Sequence, residues 1–145
     1  MNQKFKNSII NEVNKRGLIT ESAKSKDFIE LISLLFHSRT QAHIFHAQVR
    51  TLSEHSALNT YYDDIVGMVD GLIESYQGKY SILKNYKSYP IENYKDSTSL
   101  INYFKELCNS VEELRDCCED SYIQNQIDNV CQLINSTLYK LRFLK

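Results

Sequence analysis

Tryptophan is absent from this chain, proline occurs once in 145 residues and glycine only four times. So few turn formers disfavour an all-β fold, where every hairpin needs its own turn, and favour long helices. Charge of one sign is lacking too. Lys and Arg number 17 against 18 Asp and Glu, for a net charge of −1, so the chain as a whole is not the basic polymer expected of a nucleic-acid coat. No apolar run approaches the roughly 18 residues of a membrane helix, and the opening Met1-Asn2-Gln3-Lys4 shows no signal-peptide pattern. The four cysteines, Cys108, Cys117, Cys118 and Cys131, form no C-x-x-C pair and have no histidine at zinc-finger spacing. In the last two expected helices they read as small buried hydrophobes. Together these absences predict a protein that is not secreted, has no membrane partner and keeps its thiols reduced, in a cytoplasm or in a particle assembled there.

What is present is helical periodicity over one domain, residues 1–145, long enough to bury a core. Phe5, Ile9, Ile10 and Val13 predict a short leading helix that Gly17 ends. Residues 1–24 are locally basic, with Lys4, Lys6, Lys15, Arg16 and Lys24 against Glu12 and Glu21. Such an arm reads either as a solvated helical segment or as a contact for DNA phosphates. A first main helix is expected from a cap near Ser25 to Asp27, through Ile29, Leu31, Ile32, Leu34, Leu35 and Phe36, to about Val49. The second is expected from about Glu54 to Gln77, with Leu58, Tyr61, Tyr62, Ile65, Met68, Val69, Leu72, Ile73 and Tyr76 as its apolar arc and Gly78 as its stop.

Residues 78–96 then form a tyrosine-rich connection containing the single proline. Antiparallel neighbours in a bundle need only about 2 to 8 linking residues, so this length predicts a crossover between parallel helices. The third helix opens on the capping signal Asp96-Ser97 and carries Leu100, Ile101, Phe104, Leu107, Val111 and Leu114. The fourth carries Ile123, Ile127, Val130, Leu133, Ile134, Leu138 and Leu141. Neither shows the E-x-x-H motif of a metal centre inside one bundle.

On the second helix His55, Asn59, Asp63, Asp70 and Glu74 fall in one stripe at about 100° per residue. At about 1.5 Å rise per residue, Asp70 lies about 22 Å and Glu74 about 28 Å beyond His55. One chain cannot bring them to one ion. An identical helix laid antiparallel across a two-fold axis near Ile65 would set the histidine end of one copy against the carboxylate end of the other, making a mixed imidazole and carboxylate site twice. Three readings of the stripe stand: a metal site, a solvated helix flank, or a set of interface contacts. Gly67 and Gly71, four apart beside it, each cost about 1 kcal/mol of helix propensity. They point either to close approach of a partner helix or to a bulky neighbour within the same subunit. His46, three residues after His43, can share its face, while His37 is expected to cap or pack.

Ala42-His43, then His55 twelve residues later, then Asp70 and Glu74 four apart together resemble the Dps-like mini-ferritins of the ferritin superfamily. The run Tyr76-Gln77-Gly78-Lys79-Tyr80, with His55-Ser56-Ala57-Leu58 and Tyr61-Tyr62, is similar to small Dps-like proteins of tailed bacteriophages. The resemblance is carried by residues 27–90. It implies an all-α, ferritin-like four-helix bundle with its long crossover between helices 2 and 3, and a homo-oligomer built on a helix 2 dimer, with a dodecameric shell as the family's larger form. It also implies iron, or zinc, held between subunits by His43, His55, Asp70 and Glu74, with Asn59, Asp63 and His46 in support, and ferroxidase chemistry with iron storage or DNA protection. Asn59 stands where the family has Asp, and an amide oxygen brings no charge to a hard cation. The alternative is a non-enzymatic phage virion or assembly protein that keeps the bundle as an oligomerisation module, partnered by other phage structural proteins.

Overall fold

The computed structural model describes the backbone of residues 3–145 and the side chains of residues 24–145. Its elements are α1 (Gln3–Gln48), α2 (Leu52–Lys79), α3 (Ser97–Glu113), a single 3-10 turn at Arg115–Cys117, and α4 (Ser121–Phe143), with no strand among the described residues. The chain is an all-α, four-helix protein. α1 packs on α2, α3 on α4, and α2 on α4 across the bundle. Phe28, Leu31, Ile32 and Leu35 of α1 meet Leu58, Tyr61, Ile65 and Leu72 of α2, Leu100 and Phe104 of α3, and Ile123, Ile127 and Ile134 of α4 in one core.

Four expectations are corrected. α1 runs unbroken across Gly17 and past Ser25 to Asp27, so there is neither a separate leading helix nor a new start there. One glycine costs a helix about 1 kcal/mol, and without a proline nearby that penalty does not end it. The side chains of Lys4, Phe5, Lys6, Ile9, Ile10, Val13, Lys15 and Arg16, on which the basic-arm reading rests, lie outside the described residues. α2 likewise continues past Gly78 to Lys79, and its last cap is the amide of Tyr80 on the carbonyl of Tyr76. Phe36, counted with the apolar face, is 45 % exposed, because one residue beyond Leu35 is a rotation of about 100° away from the core.

Residues 80–96 carry no regular structure, so the backbone groups they bury need partners from elsewhere. α1 supplies them. The Oγ of Ser33 accepts from the amide of Lys87 (2.9 Å). The amide group of Gln41, fully buried, receives the N–H of Glu92 and donates to its carbonyl, both at 2.7 Å. The Oε1 of Gln48 accepts from the amide of Tyr94 (2.7 Å), and the crossover therefore climbs α1 in step with it. It delivers α3 to the start of α2. There Glu54, 6 % exposed, accepts from the hydroxyls of Thr51 and Ser97, while Thr51 caps the amide of Glu54 in return. α3 thus runs parallel to α2, with Asp96 capping the amide of Ser99 at 2.7 Å.

At the other end of the bundle, Asp120 joins the end of α2 to the start of α4 by accepting from Lys79 and the hydroxyl of Tyr80. Those two donors hold its carboxyl down at about 2. Cys108, Cys117 and Cys118 are buried and unpaired with one another, as is the half-buried Cys131. Burial pushes the Cys117 thiol up to about 12, so it behaves as a small hydrophobe.

Gln41→Ala strands both the N–H and the carbonyl of Glu92 under α1. It should cost about 2 kcal/mol in urea unfolding, whereas Gln48→Ala at the exposed end should cost under about 1 kcal/mol.

Candidate functional site

The short link between α1 and α2 folds the end of one helix against the start of the next, and the three histidines nearest it come together. The ring of His55 stacks on that of His46 with centroids 3.7 Å apart. His43 stands 5.9 Å from His46 and lies flat on Tyr62, centroids 4.2 Å apart and 18° between planes. The Nδ1 of His55 is 3.1 Å from the carbonyl oxygen of His46. A carbonyl only accepts, so this bond requires the proton on Nδ1, and in the neutral ring that leaves Nε2 as a bare lone pair. Metal-binding histidines are commonly oriented in this way.

The next turns of α2 extend the same face. The hydroxyl of Tyr62 donates to Oδ1 of Asn59 (2.8 Å), and Nδ2 of Asn59 donates to Asp63 (3.0 Å). Both ends of the amide are therefore engaged within the helix. Asp70 and Glu74 are exposed and, among the described residues, belong to no ion pair. The structure brings together His43, His46, His55, Asn59 and Asp63. It leaves Asp70 and Glu74 two or more turns further along. Among the described residues, no three His, Cys, Asp or Glu side chains of one chain are grouped to hold a metal ion.

Between the two ends lies a bare apolar stretch. Phe36 of α1 and Val66 of α2, 42 % exposed, line a shallow groove with Leu35, Arg39, Thr40 and Val69. A Cβ built on Gly67 or on Gly71 meets nothing within 4 Å. Among the described residues no side chain fills the space a Cβ would take, so no bulky neighbour requires these glycines; both line a shallow groove with Gln126, Asn129 and Leu133 of α4. His37 packs, as expected, with its ring 5.6 Å from that of Tyr89.

Sequence reasoning passed over two residues at this end. Glu54 ties α2 to the crossover and α3, and its signal was the capping pattern Thr51-x-x-Glu54. Tyr62, counted as part of the apolar arc, instead supports His43 and fixes Asn59. Its signal was the three-residue offset from Asn59 on one helix face.

Burial lowers the pKa of His46, and the neighbouring His55 and His43 lower it further, against a smaller upward pull from Asp63. A folded value below the unfolded value of about 6.5 means that the neutral ring is favoured in the native state. The stability it carries is whole above about pH 6.5 and is lost as pH falls through the folded value. Metal-free protein should lose stability between pH 7 and 5 in urea unfolding, and His46→Gln should flatten that acid limb.

No curated protein and no solved structure matches the chain. Residues 46–141 match a family described as being of unknown function, DUF5856. That stretch begins at His46, takes in α2, α3 and α4 as far as Leu141, and leaves His43 outside. Covering well over half of the 145 residues, the match makes this chain a member of the DUF5856 family.

Proposed function

We propose that the protein is a ferritin-like, metal-binding homo-oligomer whose unit is a dimer formed across α2, with Fe(II) or Zn(II) held between subunits. One observation carries the reading: the exposed face shared by α1 and α2 has three imidazoles at one end, two carboxylates with no ion pair among the described residues at the other, and the exposed Phe36 and Val66 between, with Gly67 and Gly71 open on the flank of α2 toward α4. A two-fold axis near the middle of α2 would cover Phe36 and Val66 and set His43 and His55 of one subunit against the carboxylates of its mate. The long crossover between parallel second and third helices supports the ferritin-like assignment, since it is the topology of those bundles.

The residues fit a borderline cation. His55 has its Nε2 free and its Nδ1 anchored, and Asp70 and Glu74 offer charged oxygens, a donor set suited to Zn(II) and Fe(II). The chemistry this chain performs is to orient imidazoles, to supply carboxylates from the second subunit, and to exclude water with Phe36 and Val66. Oxidation of bound Fe(II) as substrate is the family-level extension, and Asn59 weighs against it because its oxygen is uncharged and already accepts from Tyr62. The same engagement favours a second reading, an assembly module of a phage particle in which the stripe serves as hydrogen-bonding contacts.

Sedimentation should show a dimer or a larger even oligomer in wild type and a shift toward monomer in Gly67→Leu or Gly71→Leu, with helicity kept. Fe(II) or Zn(II) at 100 times its Kd should stabilise the native state by about 2.7 kcal/mol. His55→Ala should abolish that gain, and Asn59→Asp should enlarge it. The gain should fade below about pH 6, where imidazoles bind protons instead. A monomeric wild type ends both the dimer and the metal site, whereas an oligomer indifferent to metal in wild type and Asn59→Asp alike leaves the assembly module.

A further inference from the structure

His37 and His43 lie on one helix six residues apart, which places them about 120° apart around α1. On the His37 side, the crossover and α3 enclose a second cleft with a volume of about 260 Å³. Its walls are aromatic. The ring of His37 stands 5.6 Å from Tyr89 and 6.4 Å from Tyr103, with Leu34, Pro90 and Leu107 beside them. The crossover wall is held in place by the paired hydrogen bonds between Gln41 and the backbone of Glu92, so the cleft is built into the fold.

Three features define what such a cleft accepts. The hydroxyl oxygens of Tyr89 and Tyr103 are both buried and, among the described residues, have no hydrogen-bond partner, which is unfavourable unless something else supplies one. Two carboxylates, Glu92 and Glu106, sit among the lining residues on exposed positions, and among the described residues no Lys or Arg lines the cleft. Burial lowers the pKa of His37, against an upward pull from Glu92, which keeps the ring uncharged at neutral pH. Aromatic faces attract a cation through the ring quadrupole, and the attraction strengthens when water is excluded. A carboxylate at the mouth adds charge complementarity, and a phenol oxygen accepts an ammonium N–H.

We propose that this cleft binds a small organic cation, an alkylammonium, between Tyr89, Tyr103 and His37, with Glu92 and Glu106 as its counter-charges. The site is independent of the α2 dimer and of any metal bound there. A quaternary ammonium would use mainly the ring faces, and a primary ammonium would add hydrogen bonds to the two phenol oxygens.

The test is NMR of protein carrying labelled tyrosine rings, titrated without metal with choline, with putrescine and with the uncharged carbon analogue of choline. Signals of Tyr89 and Tyr103, assigned from their Phe variants, should shift saturably with at least one ammonium, and the uncharged analogue should bind about tenfold more weakly or less. The stronger of the two ammonium probes identifies which contacts dominate. Glu106→Gln, an exposed change, should weaken binding about three- to tenfold with the melting temperature unchanged. Tyr103→Phe removes an unpaired buried hydroxyl, so it should melt no lower than wild type and bind putrescine more weakly. Absence of a saturable shift with both ammonium probes, or equal binding of the uncharged analogue, overturns the proposal, as does full affinity in Glu106→Gln and Tyr103→Phe together.

Discussion

The constraint on which the rest of this structure depends is that residues 80–96 must lie against α1 without a helix or strand of their own. A buried peptide group without a partner costs more than most side-chain contacts return, so the link can be laid down only where α1 offers polar side chains at the right rise. Ser33, Gln41 and Gln48 provide them. Gln41 matters most, because it is fully buried and satisfies both groups of one peptide residue.

That anchoring decides the topology. Carried back along α1, the chain starts α3 beside the start of α2, and Glu54 closes the junction by accepting from Thr51 and Ser97. Asp120 performs the corresponding task at the far end, where Lys79 and Tyr80 reach the start of α4. With α3 and α4 on one side and the crossover on another, one face of the α1 and α2 pair is left bare. The imidazoles and carboxylates lie on that face, and so do Phe36 and Val66, while Gly67 and Gly71 open onto the flank of α2 beside α4. The crossover also makes the second cleft, since Gln41 holds the backbone of Glu92 beside α3, three residues beyond Tyr89.

The histidine end shows how a local network can fix one polar side chain and leave another without a partner. Tyr62 takes the oxygen of Asn59 and Asp63 takes its nitrogen, so both ends of this amide are tied into its own helix. His46 gains importance for the opposite reason. Its ring is stacked on His55 and its Nε2 is buried without a partner, an arrangement that favours the uncharged form in which imidazoles bind metal.

The sequence by itself determined the four main helices, the cap at Asp96, the long link and the spacing of His43, His55, Asp70 and Glu74. Each of these follows from periodicity and from turn chemistry within a few residues. It misplaced the start of α1, because the cost of Gly17 is a single local term that a continuing helix overrides. Only the tertiary structure decided that His46 stacks on His55, that Tyr62 of α2 lies flat on His43 of α1, that Gly67 and Gly71 face open space, and that Tyr89 and Tyr103 share a cleft with His37. Those relations join residues on different helices or on opposite sides of a link, and the distance between them is set by how whole elements pack, which no local pattern encodes.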